Sequence, residues 1–182
     1  MMDMPMRRAA LLFLTDLDAP RFNLLRQRGQ VPFACADDSK WAEFSLDDAF
    51  KLRLMLDLIE DAGQGAKPPP LSPTFAPKMV VNGFAAGPLT IADAAATSPS
   101  IWIAHAGFEG ITADDETHHS ASHFCGPLAD LDGWIAGIIA KDGDGYRTFA
   151  CKRLFMANAT RAANFVLERA QELGLPEADA WA

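Results

Sequence analysis

Between Asp16 and Gly63 three local signals follow one another in an order that few folds accommodate. Asp18 stands immediately before Ala19 and Pro20, and a short polar side chain ahead of a proline in the first turn marks a helix start. Gly29 marks its stop, so the helix between them carries Arg21, Asn23, Arg26, Gln27 and Arg28. Next, Val31-Pro32-Phe33 and Trp41-Ala42-Glu43-Phe44 flank the polar turn Ala36-Asp37-Asp38-Ser39, a pattern that predicts a two-stranded wing. Finally Ser45 precedes Asp48 by three residues, a capping box that opens an amphipathic helix ending at Gly63. Upstream of all three, Arg7 to Leu14 is short, rich in alanine and leucine, and helix-prone.

Helix, capped helix, wing, helix is the order of a winged helix-turn-helix. Over this stretch the chain resembles the DNA-binding domain of the MerR (mercury-regulator-like) transcription factors. The family's capped helix and the run that follows it map onto Asp18, Leu24, Leu25, Arg26, Arg28, Gly29, Val31 and Pro32. Its wing and next helix map onto Trp41, Phe44, Ser45, Asp47, Asp48, Leu52, Leu56, Ile59 and Gly63. The resemblance covers about a third of the chain. Within it Asp16 occupies the place of the usual turn glycine, Leu24 and Leu25 replace two tyrosines, and Glu43 lies near the place of the wing arginine. The resemblance implies double-stranded DNA as the partner and a homodimer as the working form. Arg21 and Asn23 are the expected base-reading residues, with Arg26, Gln27, Arg28 and Lys40 expected on phosphates.

Charge opposes that reading in sum and allows it locally. Residues 1–66 carry 8 Lys+Arg against 11 Asp+Glu, and residues 67–182 carry 8 against 13, for a net −8. Phosphate binding draws its affinity from clustered cations that release counterions, so the face that carries Arg21, Arg26 and Arg28 matters more than the total. At the expected wing tip, Asp37-Asp38-Ser39-Lys40 places acid where a wing meets the backbone. Such a surface also suits a protein-protein adaptor, of phage or mobile-element type, that keeps a winged-helix fold without binding DNA.

With 182 residues, 49% of them hydrophobic, the chain can bury one medium core or two small ones. No apolar run approaches the roughly 20 residues that cross a bilayer, and no cleavage site follows Arg7-Arg8-Ala-Ala-Leu-Leu-Phe-Leu, so a cytoplasmic protein with no membrane partner is expected. Cys35, Cys125 and Cys151 are too few and too widely spaced for a disulfide framework. Gly63 to Pro77 contains five prolines and two glycines, which divides the chain into a winged domain (1–66), a proline-rich linker (67–78) and an α+β domain (79–182) for ligand sensing or dimerisation.

In that second part, Pro88 to Ala96 predicts a short helix and Ser100 to His105 a buried strand. Gly133 to Ala140 and Tyr146 to Phe155 predict two longer strands, joined as an antiparallel hairpin by the Asp-Gly pairs of residues 141–145. Strand alternation then puts Phe149, Cys151 and Phe155 on one core-facing side. Asn158 caps a last helix, Ala159 to Leu173, for packing or dimerisation, which Gly174 stops. The overall expectation is an α+β fold with a C-terminal helix.

His118, His119, His123 and Cys125 fall within eight residues and are good zinc ligands. His119 and His123 would share one face of a helix, but no HExxH and no paired CxxC is present, and Ser120, Ser122 and Gly126 favour a surface or effector-pocket loop. Pairing of Cys125 or Cys151 with His105 or His123 lacks any local signature of nucleophilic catalysis. No catalytic residue, metal or cofactor is therefore expected, and a small-molecule effector is the expected further partner.

Overall fold

The computed structural model describes residues 6–34, 43–60 and 71–175. At the N-terminal end, β1 (Met6–Arg7) runs into α1 (Arg8–Thr15), and α2 (Ala19–Gln27) follows after a turn at residues 16–18. Asp16 ends α1 in the left-handed region at φ 56°, where its N–H reaches the Phe13 carbonyl and the Leu17 N–H reaches that of Leu12. This pair of bonds satisfies the last carbonyls of the helix. Asp18 caps α2 as expected, its carboxylate accepting the Arg21 N–H at 2.7 Å. Gly29, at φ 63°, lets the chain leave by the same kind of closing turn, with the Gln30 N–H on the Leu25 carbonyl at 2.8 Å.

The wing expectation needs correcting at one strand. Residues Val31 to Phe33 bend and do not pair, because Pro32 has no N–H to give to a ladder. The strand β2 (Glu43–Phe44) instead pairs antiparallel with β1, Met6 opposite Phe44 and Arg7 opposite Glu43. Phe33 meets β2 through its ring, edge-on to Phe44 at 5.8 Å. The expected turn at 36–39, with Lys40 and Trp41, lies outside the described residues.

Ser45 and Asp48 exchange both hydrogen bonds of the expected capping box and open α3 (Leu46–Glu60). The face at helical spacing, Ala49, Leu52 and Leu56, is buried with Met55 and Leu58 beside it while Ile59 is half-buried, and Phe50 and Leu54 are buried as well. A helix apolar on nearly every side must be surrounded. Here α3 touches α1, α4 (Ala76–Ala86), α5 (Ile91–Ala96), β5 (Thr148–Asn158) and α7 (Ala159–Glu172). Its Arg53 also donates to the Thr15 carbonyl at the end of α1 at 3.0 Å.

The rest is a mixed α/β arrangement around a three-stranded antiparallel sheet ordered β4-β3-β5, with β3 at Ile101–Ile111 and β4 at Thr117–Pro127. The face bearing Ile103 and Ala157 meets the helices, and one apolar cluster runs from Met6 through α3 to Ala170 of α7. Two glycines set how close α4 and its exit come to the sheet. A Cβ on Gly83 would lie 3.3 Å from the Ile103 Cβ, and one on Gly87 only 2.9 Å from the Cys125 Cβ. The Asn158 side chain caps α7 as expected, on the Arg161 N–H, and Thr90 with Asp93 forms a capping box that opens α5. Gly174 stops α7 at φ 68°.

Three further expectations are corrected. Gly133 to Ala140 is not a strand but the middle of α6 (Leu131–Asp142). Leu131, Trp134, Ile135, Ile138 and Ile139 recur at helical spacing, and the first three cover Ala104 and Phe124 on the outer face of the sheet. The hairpin is therefore β3–β4, and the segment 141–145 carries the chain from α6 towards β5. The histidine-rich segment is strand β4 rather than a loop or a helix face. Lastly, Gly107 pairs with Arg153 and Phe108 with Cys151, so Lys152 is an extra residue in β5. That bulge reverses the alternation, placing Phe149 and Cys151 on the outer face with Phe108, and Phe155 on the inner face with His105.

Candidate functional site

Helix α2 turns Phe22 and Leu25 into the core, and this anchoring fixes which residues face out. Gln27 and Arg28 are exposed, while Arg21, Asn23 and Arg26 are half-buried. At helical spacing Arg21 and Arg28 flank one side of Leu24, and Asn23 with Gln27 the other. Leu24 is itself 44% exposed, an apolar residue in the middle of the polar face. Asp16, beside the entry to α2, lies 3.6 Å from Arg169 of α7. Arg8 reaches over the Phe22 ring and donates to the Ala19 carbonyl at 3.2 Å, tying α1 to the first turn of α2. All five described residues of the expected DNA set thus lie on this helix or its cap.

A second constellation was not assembled by sequence reasoning. On the inner face of the sheet, cross-strand register puts His105 opposite His123, with His105 Nδ1 3.1 Å from His123 Nε2. Asn82 of α4 places its Nδ2 3.3 Å from the same His123 nitrogen. With the Asn82 amide donating, His123 Nε2 carries the lone pair, and a His105 Nδ1–H that shares it leaves His105 Nε2 as an acceptor. His105 is only 7% exposed and lies edge-on to Phe75 at 4.9 Å. Burial lowers its pKa, and the adjacent His123 lowers it further; burial alone lowers that of His123.

A cavity of about 650 Å³ opens beside this pair, between the segment leading into α4 and the sheet. Leu71, Phe75 and Phe155 give it an apolar wall; Glu109, His119, Lys152 and Arg153 line the other side. Glu109 holds Lys152 at 3.8 Å and His119 at 4.0 Å through its two oxygens.

The four expected ligand candidates do not converge. His118 belongs to the outer face, where it meets the Tyr146 ring; His119 and His123 lie four residues apart on the inner one, and Cys125 packs under Gly87. Among the described residues no three His, Cys, Asp or Glu side chains gather as a metal site. Burial pushes the Cys125 thiol up, away from the thiolate that nucleophilic chemistry needs. No helix among the described residues is long and apolar enough to cross a membrane.

The residues missed were Glu109, Lys152 and Arg153. Only the register of β3 against β5 brings them together, and the bulge that does so leaves no mark in local alternation. Compared with known proteins, the chain matches no family model and no curated protein.

Proposed function

We propose that the protein is a DNA-binding transcriptional regulator of MerR-like type, using α2 as its recognition helix. The observation that carries this reading is the short turn at residues 16–18 between α1 and α2, closed by Asp16 and capped by Asp18, which presents a polar face of α2 outward. At about 1.5 Å per residue, a helix of nine residues spans about 13 Å, comparable to the roughly 12 Å width of a major groove. Arg21 and Asn23, near its N-terminal end, are assigned to base edges; Arg26, Gln27 and Arg28 are assigned to phosphates, with Lys40 beyond them. The winged domain ends at residue 66, and the region from residue 79 onward senses a ligand or joins two copies. Two recognition helices in successive major grooves require a dimer. Exposed Leu128, Leu154 and Met156 near the outer sheet face supply apolar surface for one.

One observation favours a second reading. Leu24, exposed at the centre of the α2 face in a chain of net charge −8, suits docking to a protein partner, the adaptor alternative. A gel-shift against pooled genomic fragments at two salt concentrations separates the two. Selective retention that weakens with salt and disappears in the Arg21→Ala, Arg26→Ala variant supports the regulator. No shift at either salt refutes it and leaves the adaptor.

A further inference from the structure

The geometry points to a binding site for a small aromatic monocarboxylate in the cavity between the entry to α4 and the inner face of the sheet. It rests on the cavity alone and stands whether or not α2 meets DNA.

The volume, about 650 Å³, lies within the range of small-molecule sites. Its floor is open because Gly107 has no side chain: a Cβ there would meet only the Arg153 Cβ, at 3.7 Å. The bulge at Lys152 then does what regular alternation forbids, lining one cavity with two consecutive cations, Lys152 and Arg153.

The charges of the lining select the ligand. Glu109 is shared between Lys152 and His119. Arg153 has no carboxylate within ion-pairing distance among the described residues, and its guanidinium is a planar fork suited to a carboxylate. Lys152 and Arg153 against the single carboxylate of Glu109 leave the lining one surplus fixed positive charge, which favours an anion over a cation. Leu71, Phe75 and Phe155 supply the apolar wall against which a ring packs. His105 Nε2, left as an acceptor by its bond to His123, suits a hydroxyl on that ring.

The test uses the full chain with 4-hydroxybenzoate and 4-hydroxyphenylacetate as probes, and 4-hydroxybenzamide as the uncharged counterpart, followed by saturation-transfer NMR and calorimetry. Both acids are expected to bind saturably, and the amide about tenfold more weakly. Arg153→Met should weaken the acids by about tenfold and leave the amide unchanged. Gly107→Val, which fills the floor, should remove binding of all three, whereas Arg147→Met, on the exposed Asp115 pair, should change nothing. Circular dichroism verifies that each variant is folded. The proposal is overturned if neither acid binds saturably by about 10 mM. It is equally overturned if acids and amide bind alike, or if Arg153→Met binds the acids as the unaltered chain does.

Discussion

The His105–His123 pair should make this protein lose stability just below neutral pH. Both imidazoles are held neutral in the fold, His105 by burial and then by its neighbour, His123 by burial. In the unfolded chain both return to the ordinary value of about 6.5. As pH falls through 6.5 the unfolded chain takes up protons that the native state refuses, so stability present above that value declines until the native pair itself protonates. An imidazole that stayed neutral from pH 7.5 to pH 5.5 would cost about 1.4 kcal/mol over the interval, and two would cost about 2.7 kcal/mol. These figures are ceilings: the lowered pKa of each imidazole fixes the sign of the slope, and the half-buried His123 contributes less than the buried His105 because solvent screens its charge. Urea unfolding monitored by far-UV circular dichroism across this interval measures the slope. A His105→Gln, His123→Gln variant removes the pair and should show a flatter profile, whatever its absolute stability. An equal slope in the variant, or a constant stability in the unaltered chain, would refute the assignment of two neutral imidazoles.

Other perturbations follow from close contacts and caps. Gly87→Ala drives a Cβ to 2.9 Å from the Cys125 Cβ and should cost about 1–3 kcal/mol in chemical denaturation. Gly137→Ala, in α6 with nothing within 4 Å, should instead stabilise by about 0.5–1 kcal/mol. At Asp16, whose φ is 56°, Val should be less stable than Gly by about 1–2 kcal/mol, read from the shift in melting temperature. Ser45→Ala removes the oxygen that accepts the Asp48 N–H and should lower stability by about 1 kcal/mol.

What could be read in the sequence was local chemistry. Asp18, Ser45 with Asp48, Asn158, Gly29 and Gly174 act within a few residues of themselves, and each caps or ends the helix assigned to it. The misreadings came where local signals conflict with distant partners. In Gly133 to Ala140 the β-branched isoleucines and adjoining Asp-Gly pairs suggested a hairpin. Yet Leu131, Trp134, Ile135, Ile138 and Ile139 follow helical spacing, and burial of Trp134 and Ile135 against Phe124 decided the outcome. Pro32 could have warned that Val31 to Phe33 would not pair. The candidate pocket was the least legible part. His105 and His123 are 18 residues apart, and Glu109 meets Lys152 only through β3–β5 register and an extra residue in β5.

The central claim, that α2 reads DNA, is tested most directly by selection from a randomised duplex library with the full chain, repeated with Arg21→Ala. The account predicts an enriched motif whose affinity falls by roughly 1–3 kcal/mol in the variant, with discrimination relaxed at one position. Absence of enrichment, or the same motif at the same affinity with Arg21→Ala, would contradict it.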